Sequence, residues 1–295
     1  MAQNTQTTAA GGALTQQQVA DLLLQPLQAK SVFLAAGPRI FDTNGGNNLR
    51  IPKLVSSTGA TFVAEGAAIP DDDTTFGELT LLPKTMQAVK VITKVSDELL
   101  RQSIIALDQV LKDRLVADIA TALDNAFING TGTTQPLGML AAAGTQSIVV
   151  TGAATTDLLY DMSAKLLTAN VDPTGARWLI TPYVFNVLRK TKASGTGEYM
   201  IQPDLTAAGK FQLLGWPVDV TPRIPTGGAA TYYSKIVLWV PSLYAVARDI
   251  APEVKVLTER YADTGQVGIR VQARYDPAPL YPESIVIASN VTGGP

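Results

Sequence analysis

Phe62-Val63-Ala64-Glu65-Gly66-Ala67-Ala68-Ile69-Pro70, an acidic turn at Asp71-Asp72-Asp73, and Phe76-Gly77-Glu78-Leu79-Thr80-Leu81-Leu82-Pro83-Lys84 decide the reading of this chain. Two strand-like stretches flank a Pro/Asp turn, which predicts an extended hairpin. A two-stranded hairpin is marginal in water without a third strand or a helix against it. This one carries Phe62, Val63, Ile69, Phe76, Leu79, Leu81 and Leu82 and must bury them on something. A neighbouring subunit is the natural cover. The expected contact set is Phe62, Glu65, Ile69, Asp71, Asp72, Asp73, Phe76, Leu79, Leu81 and Lys84.

Working outward toward the N-terminus, Leu49-Arg50-Ile51-Pro52-Lys53-Leu54 reads as a short strand leading into the hairpin. Residues 2–13 are Thr, Gln, Ala and Gly, too poor in large apolar groups to fold alone. Thr15-Gln16-Gln17-Gln18 resembles a capping box, with Val19, Leu22, Leu23 and Leu27 at helical spacing and Pro26 limiting the helix. Gly37-Pro38 and Gly45-Gly46-Asn47 are breakers. Residues 1–47 are therefore expected to form an arm. No long leading helical segment precedes it, so the mature subunit is expected to keep its own N-terminus.

On the other side, Val89-Lys90-Val91-Ile92-Thr93-Lys94-Val95 alternates as a strand, with Val89, Val91, Thr93 and Val95 on one face. Ser96-Asp97-Glu98 opens a short helix. Ile105 to Asn129 is the longest helix signal, with Leu107, Leu111, Leu115, Ile119, Leu123 and Phe127 in one stripe. About 25 residues would run ~37 Å, a spine that packs along one face. Asn129-Gly130 reads as its C-cap.

Residues 156–192 alternate helix and strand. Thr156 or Asp157 caps the first helix, Arg177-Trp178-Leu179-Ile180 is a buried strand, and Thr181-Pro182 starts a second helix with Pro at its preferred position. With strands at 217–220 and 235–240, this predicts a compact α+β unit. Ser194-Gly195-Thr196-Gly197-Glu198 is a Gly-rich loop within it. Val267, Ile269, Val271, Ala273 and Tyr275 alternate with polar residues and pair with 254–261 across a tip at Asp263, Thr264, Gly265 and Gln266. Ile285-Val286-Ile287 is a last buried strand.

Composition narrows the function. The chain has 295 residues, 46% hydrophobic and only 16% charged, so its surface is poor in charge and suits faces covered by other subunits. A formal charge of −2 gives no overall electrostatic footprint for nucleic acid. There is no cysteine and no histidine, which removes disulfides, thiol nucleophiles, zinc-thiolate sites and the commonest general base. The longest apolar run, Ile236 to Ala247, is broken by Pro241 and Ser242 and is shorter than the ~20 residues a bilayer span needs. No signal peptide is evident, so synthesis is expected in the cytoplasm. No cofactor, metal site or catalytic residue is expected.

Local motifs read structurally. Gly130-Thr131-Gly132-Thr133 follows a helix, whereas a phosphate loop precedes one, so it is expected to be a turn. Asp71-Asp72-Asp73 lacks the glycine and distal glutamate of a calcium loop and reads as a solvated turn or a patch that docks on a neighbour's Lys or Arg. Glu65, Glu78 and Glu98 form no acid/base pair. Asn129-Gly130-Thr131 and Asn290-Val291-Thr292 match the glycosylation pattern by chance. Trp178, Trp216 and Trp239 are expected in the core.

Arm, extended hairpin, spine helix, α+β unit and terminal β-hairpin, in this order, resemble the major capsid proteins of tailed bacteriophages. The residues that carry the likeness are Val63-Ala64-Glu65-Gly66-Ala67-Ala68-Ile69-Pro70, Phe76-Gly77, Pro83-Lys84, Ser96-Asp97-Glu98-Leu99-Leu100, and Leu123-Asp124-Asn125-Ala126-Phe127-Ile128-Asn129-Gly130-Thr131-Gly132 with Gln135-Pro136-Leu137-Gly138. The likeness is strongest over 60–140. It implies an α+β tailed-phage capsid fold: N-arm 1–47, a connecting strand 48–58, an E-loop hairpin 59–95 lying over an adjacent subunit, a P-domain at 96–134 and 251–279, and an A-domain at 135–250 and 280–295.

The resemblance further implies hexamers and pentamers of this chain in an icosahedral or prolate shell around double-stranded DNA. Portal, scaffolding and decoration proteins are the implied partners, with no membrane, the virion as destination and the host cytoplasm as the place of assembly. Some members weld the shell with isopeptide bonds from an E-loop lysine, a P-domain asparagine and a glutamate. Gly77, Gln266 and Ala273 stand in those places here, so non-covalent contacts are expected. Encapsulin nanocompartment shells share the fold and are the alternative, which the Gln/Thr-rich arm disfavours. An enzyme built on lysine and carboxylates is the remote one.

Overall fold

The structure is a computed structural model that describes residues 31–43, 48–54, 62–66, 76–82, 88–98, 107–191, 211–227 and 233–292. In chain order the elements are α1 (Val32–Ala35), β1 (Arg39–Asp42), β2 (Leu49–Leu54), β3 (Phe76–Leu81), β4 (Val89–Ser96), α2 (Leu107–Asn129), β5 (Gln146–Val149), α3 (Thr156–Thr168), β6 (Arg177–Ile180), α4 (Pro182–Lys190), β7 (Gln212–Leu213), β8 (Trp216–Val220), β9 (Tyr233–Trp239), β10 (Tyr244–Leu257), β11 (Gln266–Pro279) and β12 (Ile285–Thr292).

The spine helix is present as α2. Leu115, Ile119, Leu123 and Phe127 recur every fourth residue and are all buried, so they form one stripe along the helix. That stripe packs on a four-stranded sheet of order β1-β10-β11-β4. Ile269, Val271, Ala273 and Tyr275 of β11 point into the same cluster, as the strict alternation requires. Val89 and Val91 of β4 join them, while Lys90, Ile92 and Lys94 are exposed on the opposite face.

A six-stranded sheet of order β5-β12-β9-β6-β8-β7 forms the second unit. Its middle strands are apolar on both faces, the pattern of a sheet covered on both sides. Trp178, Ile180, Ile236, Leu238, Val286 and Ala288 meet Leu159, Met162, Leu166, Val184 and Leu188 of α3 and α4. The residues between them, Leu179, Val237, Trp239, Ile285 and Ile287, share a core with Phe127 and Met139. This sheet is thus sandwiched between its own two helices and the core of the spine helix.

The structure corrects several local expectations. Among the described residues, β3 does not pair with residues 62–66. Strand β3 pairs instead with β2, from Leu49 opposite Leu81 to Leu54 opposite Phe76. The segment expected merely to lead into the hairpin is half of it, and residues 62–66 are not in a strand. Thr155 caps α3, one residue before the expected position, by accepting from the Leu158 N–H. Gly130 is not a left-handed C-cap. A Cβ there would sit 1.9 Å from the Pro136 carbonyl oxygen and 2.4 Å from that of Ala126, so glycine is required by close backbone approach. The expected helix before β2 and the loop at 194–198 lie outside the described residues.

Candidate assembly surface

The arm hairpin begins at a tight foot. Leu81 and Leu82, each 1% exposed, pack with Ala245 and Ala247 of β10, and Leu49, Ile51 and Leu79 lie against this cluster. Leu82 has φ 56°, a left-handed conformation costly for a residue with a Cβ. Its N–H donates to the Asp276 carboxylate at 2.7 Å, which holds the turn. Burial pushes the Asp276 carboxyl up to about 6, opposed by the Leu82 N–H and the Arg274 charge. The turn back from the arm therefore hangs on one buried carboxylate.

This placement divides the expected contact residues. Leu79 and Leu81 face the chain's own body, so Leu81 in particular is a foot residue and not a surface for a neighbour. The alternation of a half-covered hairpin explains it: Leu49, Ile51, Leu79 and Leu81 share the inner face, while Arg50, Glu78 and Thr80 share the outer. Phe76, 74% exposed, and Phe62, fully exposed, find no cover among the described residues. Glu65 is exposed at a turn where Gly66 takes φ 81°. Arg50 and Glu78 form an exposed pair at 3.7 Å, of little energetic weight. Ile69, Asp71, Asp72, Asp73 and Lys84 lie outside the described residues.

The second hairpin, β10–β11, ends as the spacing predicted. Asp263 and Thr264 lie in a short 3-10 turn, Gly265 is left-handed at φ 61°, and Gln266 opens β11 opposite Ser96. The Gly265 carbonyl accepts from the Asp97 N–H at 2.9 Å, which ties this tip to the start of the segment after β4. Tyr261 lies across Gly268, where a Cβ would be 2.7 Å from the ring. The Lys94 ammonium stands 4.5 Å and the Arg260 guanidinium 5.5 Å from the same ring. Ala273 is fully buried toward α2, and Gly77 faces Lys53 across the arm. Ser194, Gly195, Thr196, Gly197 and Glu198 lie outside the described residues.

One residue that sequence reasoning passed over fastens the N-terminal arm. Asp124 of α2 is 4% exposed and accepts from the Ser31 hydroxyl and, at 2.8 Å, from the Val32 N–H. Burial raises its pKa, and the Ser31 and backbone donors oppose that rise. Next to it Phe33, 1% exposed, stacks on Trp239 at 4.9 Å and meets Phe127 at 5.1 Å. An acid between two buried stripe positions, Leu123 and Phe127, was the available signal. Between α2 and residues 222–226 runs an open groove where the Asn129 amide donates to the Arg223 carbonyl. Among the described residues there is no cluster of three or more His, Cys, Asp or Glu that could hold a metal ion. None of the described helices is long and apolar enough to cross a membrane.

The phage capsid family model matches residues 11–290. A major capsid protein of Halomonas phage phiHAP-1 is 27% identical over 199 residues, covering 66% of this chain and 32% of that relative. The matched segment thus spans about a third of the length of that curated relative. Among solved structures, the capsid of a native GTA particle, computed with C5 symmetry, superposes with a TM-score of 0.75 at 19% identity, covering 98% of this chain and 100% of that one. A Mycobacterium phage Cain structure superposes with a TM-score of 0.70 at 19% identity, covering 97% of each chain. The likeness runs the length of the chain, so arm, spine and both sheets belong to one shared architecture, the tailed-phage capsid fold.

Proposed function

The chain belongs to the phage capsid family, and we propose that it is the repeating subunit of a protein shell that encloses the double-stranded DNA of a tailed phage. The observation that supports this most strongly is the β2–β3 arm: it is rooted by Leu81 and Leu82 yet carries uncovered Phe62 and Phe76 beyond the root. A soluble monomer gains nothing from such a device. A shell subunit does, because each copy makes many weak contacts at once and multivalency multiplies them.

In this reading the arm and its continuation, 59–95, lie over an adjacent subunit. The α2 unit with residues 96–134 and 251–279 is the P-domain, and 135–250 with 280–295 is the A-domain around the five- or six-fold axis. The chain acts as a structural protein and not as an enzyme. It works in the virion after assembly in the host cytoplasm, beside a portal protein and, where the phage encodes them, scaffolding and decoration proteins.

Contacts between subunits are non-covalent in this reading. Gly77 offers no amine, Gln266 stands where an asparagine is needed, and Ala273 offers no carboxylate. Boiled, denatured particles should run as one band near 31.2 kDa, and a ladder of heavier species would overturn the point. The purified protein, viewed by electron microscopy, should form closed shells of hexamers and pentamers. A small stable oligomer with substrate turnover and no particles under any condition would sink the whole reading. Nuclease-resistant double-stranded DNA inside particles from infected cells separates a phage head from a cargo-holding encapsulin.

A further inference from the structure

The outward face of the spine helix carries a groove with one polar atom left unserved. Ala122, Asn125 and Asn129 of α2 form one wall, and Pro222, Arg223 and Pro225 form the other. The Asn129 amide nitrogen bridges the two walls: it donates to the Asn125 side-chain oxygen at 3.0 Å and to the Arg223 carbonyl. Both partners are acceptors, so the orientation of the Asn129 amide is fixed by them. Its other end, Oδ1, is buried and has no donor among the described residues. A buried acceptor without a donor is costly, and almost all such atoms in folded proteins are served by something. Around it Ala122, Asn125, Pro222 and Pro225 are exposed.

The chain itself arrives at the middle of this groove. Ser31 and Val32 both donate to Asp124, the neighbour of Asn125 on α2. From Val32 onward the chain turns inward, because Phe33 is 1% exposed among Phe127, Trp239 and Tyr244. Residues before Ser31 therefore start on the outer side of α2, next to the groove wall. Arg223 of the opposite wall is near enough for its charge to act on the Asp124 carboxyl.

The lengths match. From Asp124 to Asn129 the helix rises about 8 Å. Three extended residues back from Ser31 cover about 10 Å, which brings Gln28 level with Asn129. Pro26 limits any helix before this point. Gln28 carries the amide donor that Asn129 Oδ1 lacks, and Leu27 beside it carries the apolar surface that the Pro222 and Pro225 rings would cover.

We propose that Leu27-Gln28-Ala29-Lys30 of the same chain lies extended in the groove between α2 and residues 222–226, with the Gln28 amide donating to Asn129 Oδ1. The groove then sets the point from which residues 1–26 leave the body. The inference goes beyond the shell reading and does not need it, since the contact forms within one subunit.

The test uses the full-length chain as dissociated subunits at micromolar dilution. Because the chain has no cysteine, Gln28→Cys supplies a single thiol. Its reaction with a thiol reagent should be at least tenfold slower than that of a free peptide carrying the same sequence. Adding Ala122→Trp, which fills the groove from an exposed position, should restore the free rate without lowering the thermal midpoint. A thiol that reacts at the free rate before Ala122→Trp is added, or at one slow rate in both variants, overturns the proposal. The pair Gln28→Cys with Asn129→Cys gives a second readout. Oxidation should produce a bridge within single chains, seen as a loss of two mass units in a monomer. Disulfide-linked dimers would assign the groove to the same segment of a second copy, and no bridge would leave it to a separate partner; either result overturns the proposal. Where the double variant fails to fold, the labelling rates decide.

Discussion

The two hairpins of this chain are built from similar material and held in opposite ways. In β10–β11, strands of fourteen residues each lie inside a four-stranded sheet and bury Ile269, Val271, Ala273 and Tyr275 under the spine helix. In β2–β3, strands of six residues form a sheet of two, covered only at the foot by Ala245 and Ala247. The first hairpin pairs its backbone and covers its inner face within one subunit. The second satisfies its backbone alone beyond Leu79 and leaves Phe76 to solvent. Completeness of the core, and not strand propensity, separates an element that builds the fold from one left with an uncovered face.

The largest way to break this comparison is to remove the outer arm. Deleting 55–75 and bridging β2 to β3 with a short turn should leave a folded subunit with unchanged thermal stability and abolish particles. A deletion reaching Leu81 and Leu82 would uncover Ala245 and Ala247 and confound the result. Normal shells from the 55–75 deletion, counted by sedimentation, would make the arm dispensable.

The braced side breaks at Phe33. Phe33→Ala removes an aromatic from a cluster of Phe127, Trp239 and Tyr244 and should cost about 3–5 kcal/mol in denaturant unfolding of the dissociated subunit. Truncation of residues 1–30 should spare the body, whereas truncation of 1–36 should unfold it. Equal stability of the two truncations would show that Phe33 is not part of the core.

The junction between the two regions responds to pH. Asp276 titrates near 6 in the folded chain against an ordinary 3.8, so folding favours its protonated form. Its stabilising contribution is full below about pH 4 and is lost as pH rises through 6, about 3 kcal/mol in all. Asp276→Asn should therefore stabilise the subunit by up to that amount at pH 8 and by almost nothing at pH 4. A variant that destabilises at pH 8 and not at pH 4 would mean that the Leu82 N–H needs the charge.

A third hairpin gives the smallest effect. Leu214 and Gly215 between β7 and β8 both take positive φ, 52° and 82°, the signature of a two-residue type I′ turn. Leu214, 37% exposed, has little packing to lose, so Leu214→Asn should stabilise by about 0.5–1 kcal/mol in thermal melts.

Much of the braced region was legible because it obeys periodicity. The stripe from Leu115 to Phe127 and the alternation from Val267 to Tyr275 are regular and long, and the structure keeps both. What periodicity cannot carry is pairing between distant segments. Strand β3 was read with its near neighbour 62–70, since local turn signals rank close partners first, and β2 won because it shares the inner face with Leu79 and Leu81. Strand β1, which lies parallel to β10, and β5, which lies parallel to β12, left no signal, being four residues each. Within the candidate surface, the local sequence offers Phe76 no cover, and the residue is exposed. Leu81 was misassigned because a buried foot and a buried interface look alike in sequence.

The parallel pairing of β1 with β10 has a consequence for timing. Asp42 and Arg248, which form a bidentate pair at the end of this seam, are 206 residues apart. A ribosome adding 5–20 residues per second takes about 10–40 s to cover that distance. Through this interval Phe33 has neither Trp239 nor Tyr244 to rest on, and only Asp124 and Phe127, which emerge earlier, are there to hold the segment around it. The body can close only when the strand that docks the arm's root has emerged from the exit tunnel. On the shell reading, a nascent chain lacks the closed body that a finished subunit presents to its neighbours until almost all of it has been made.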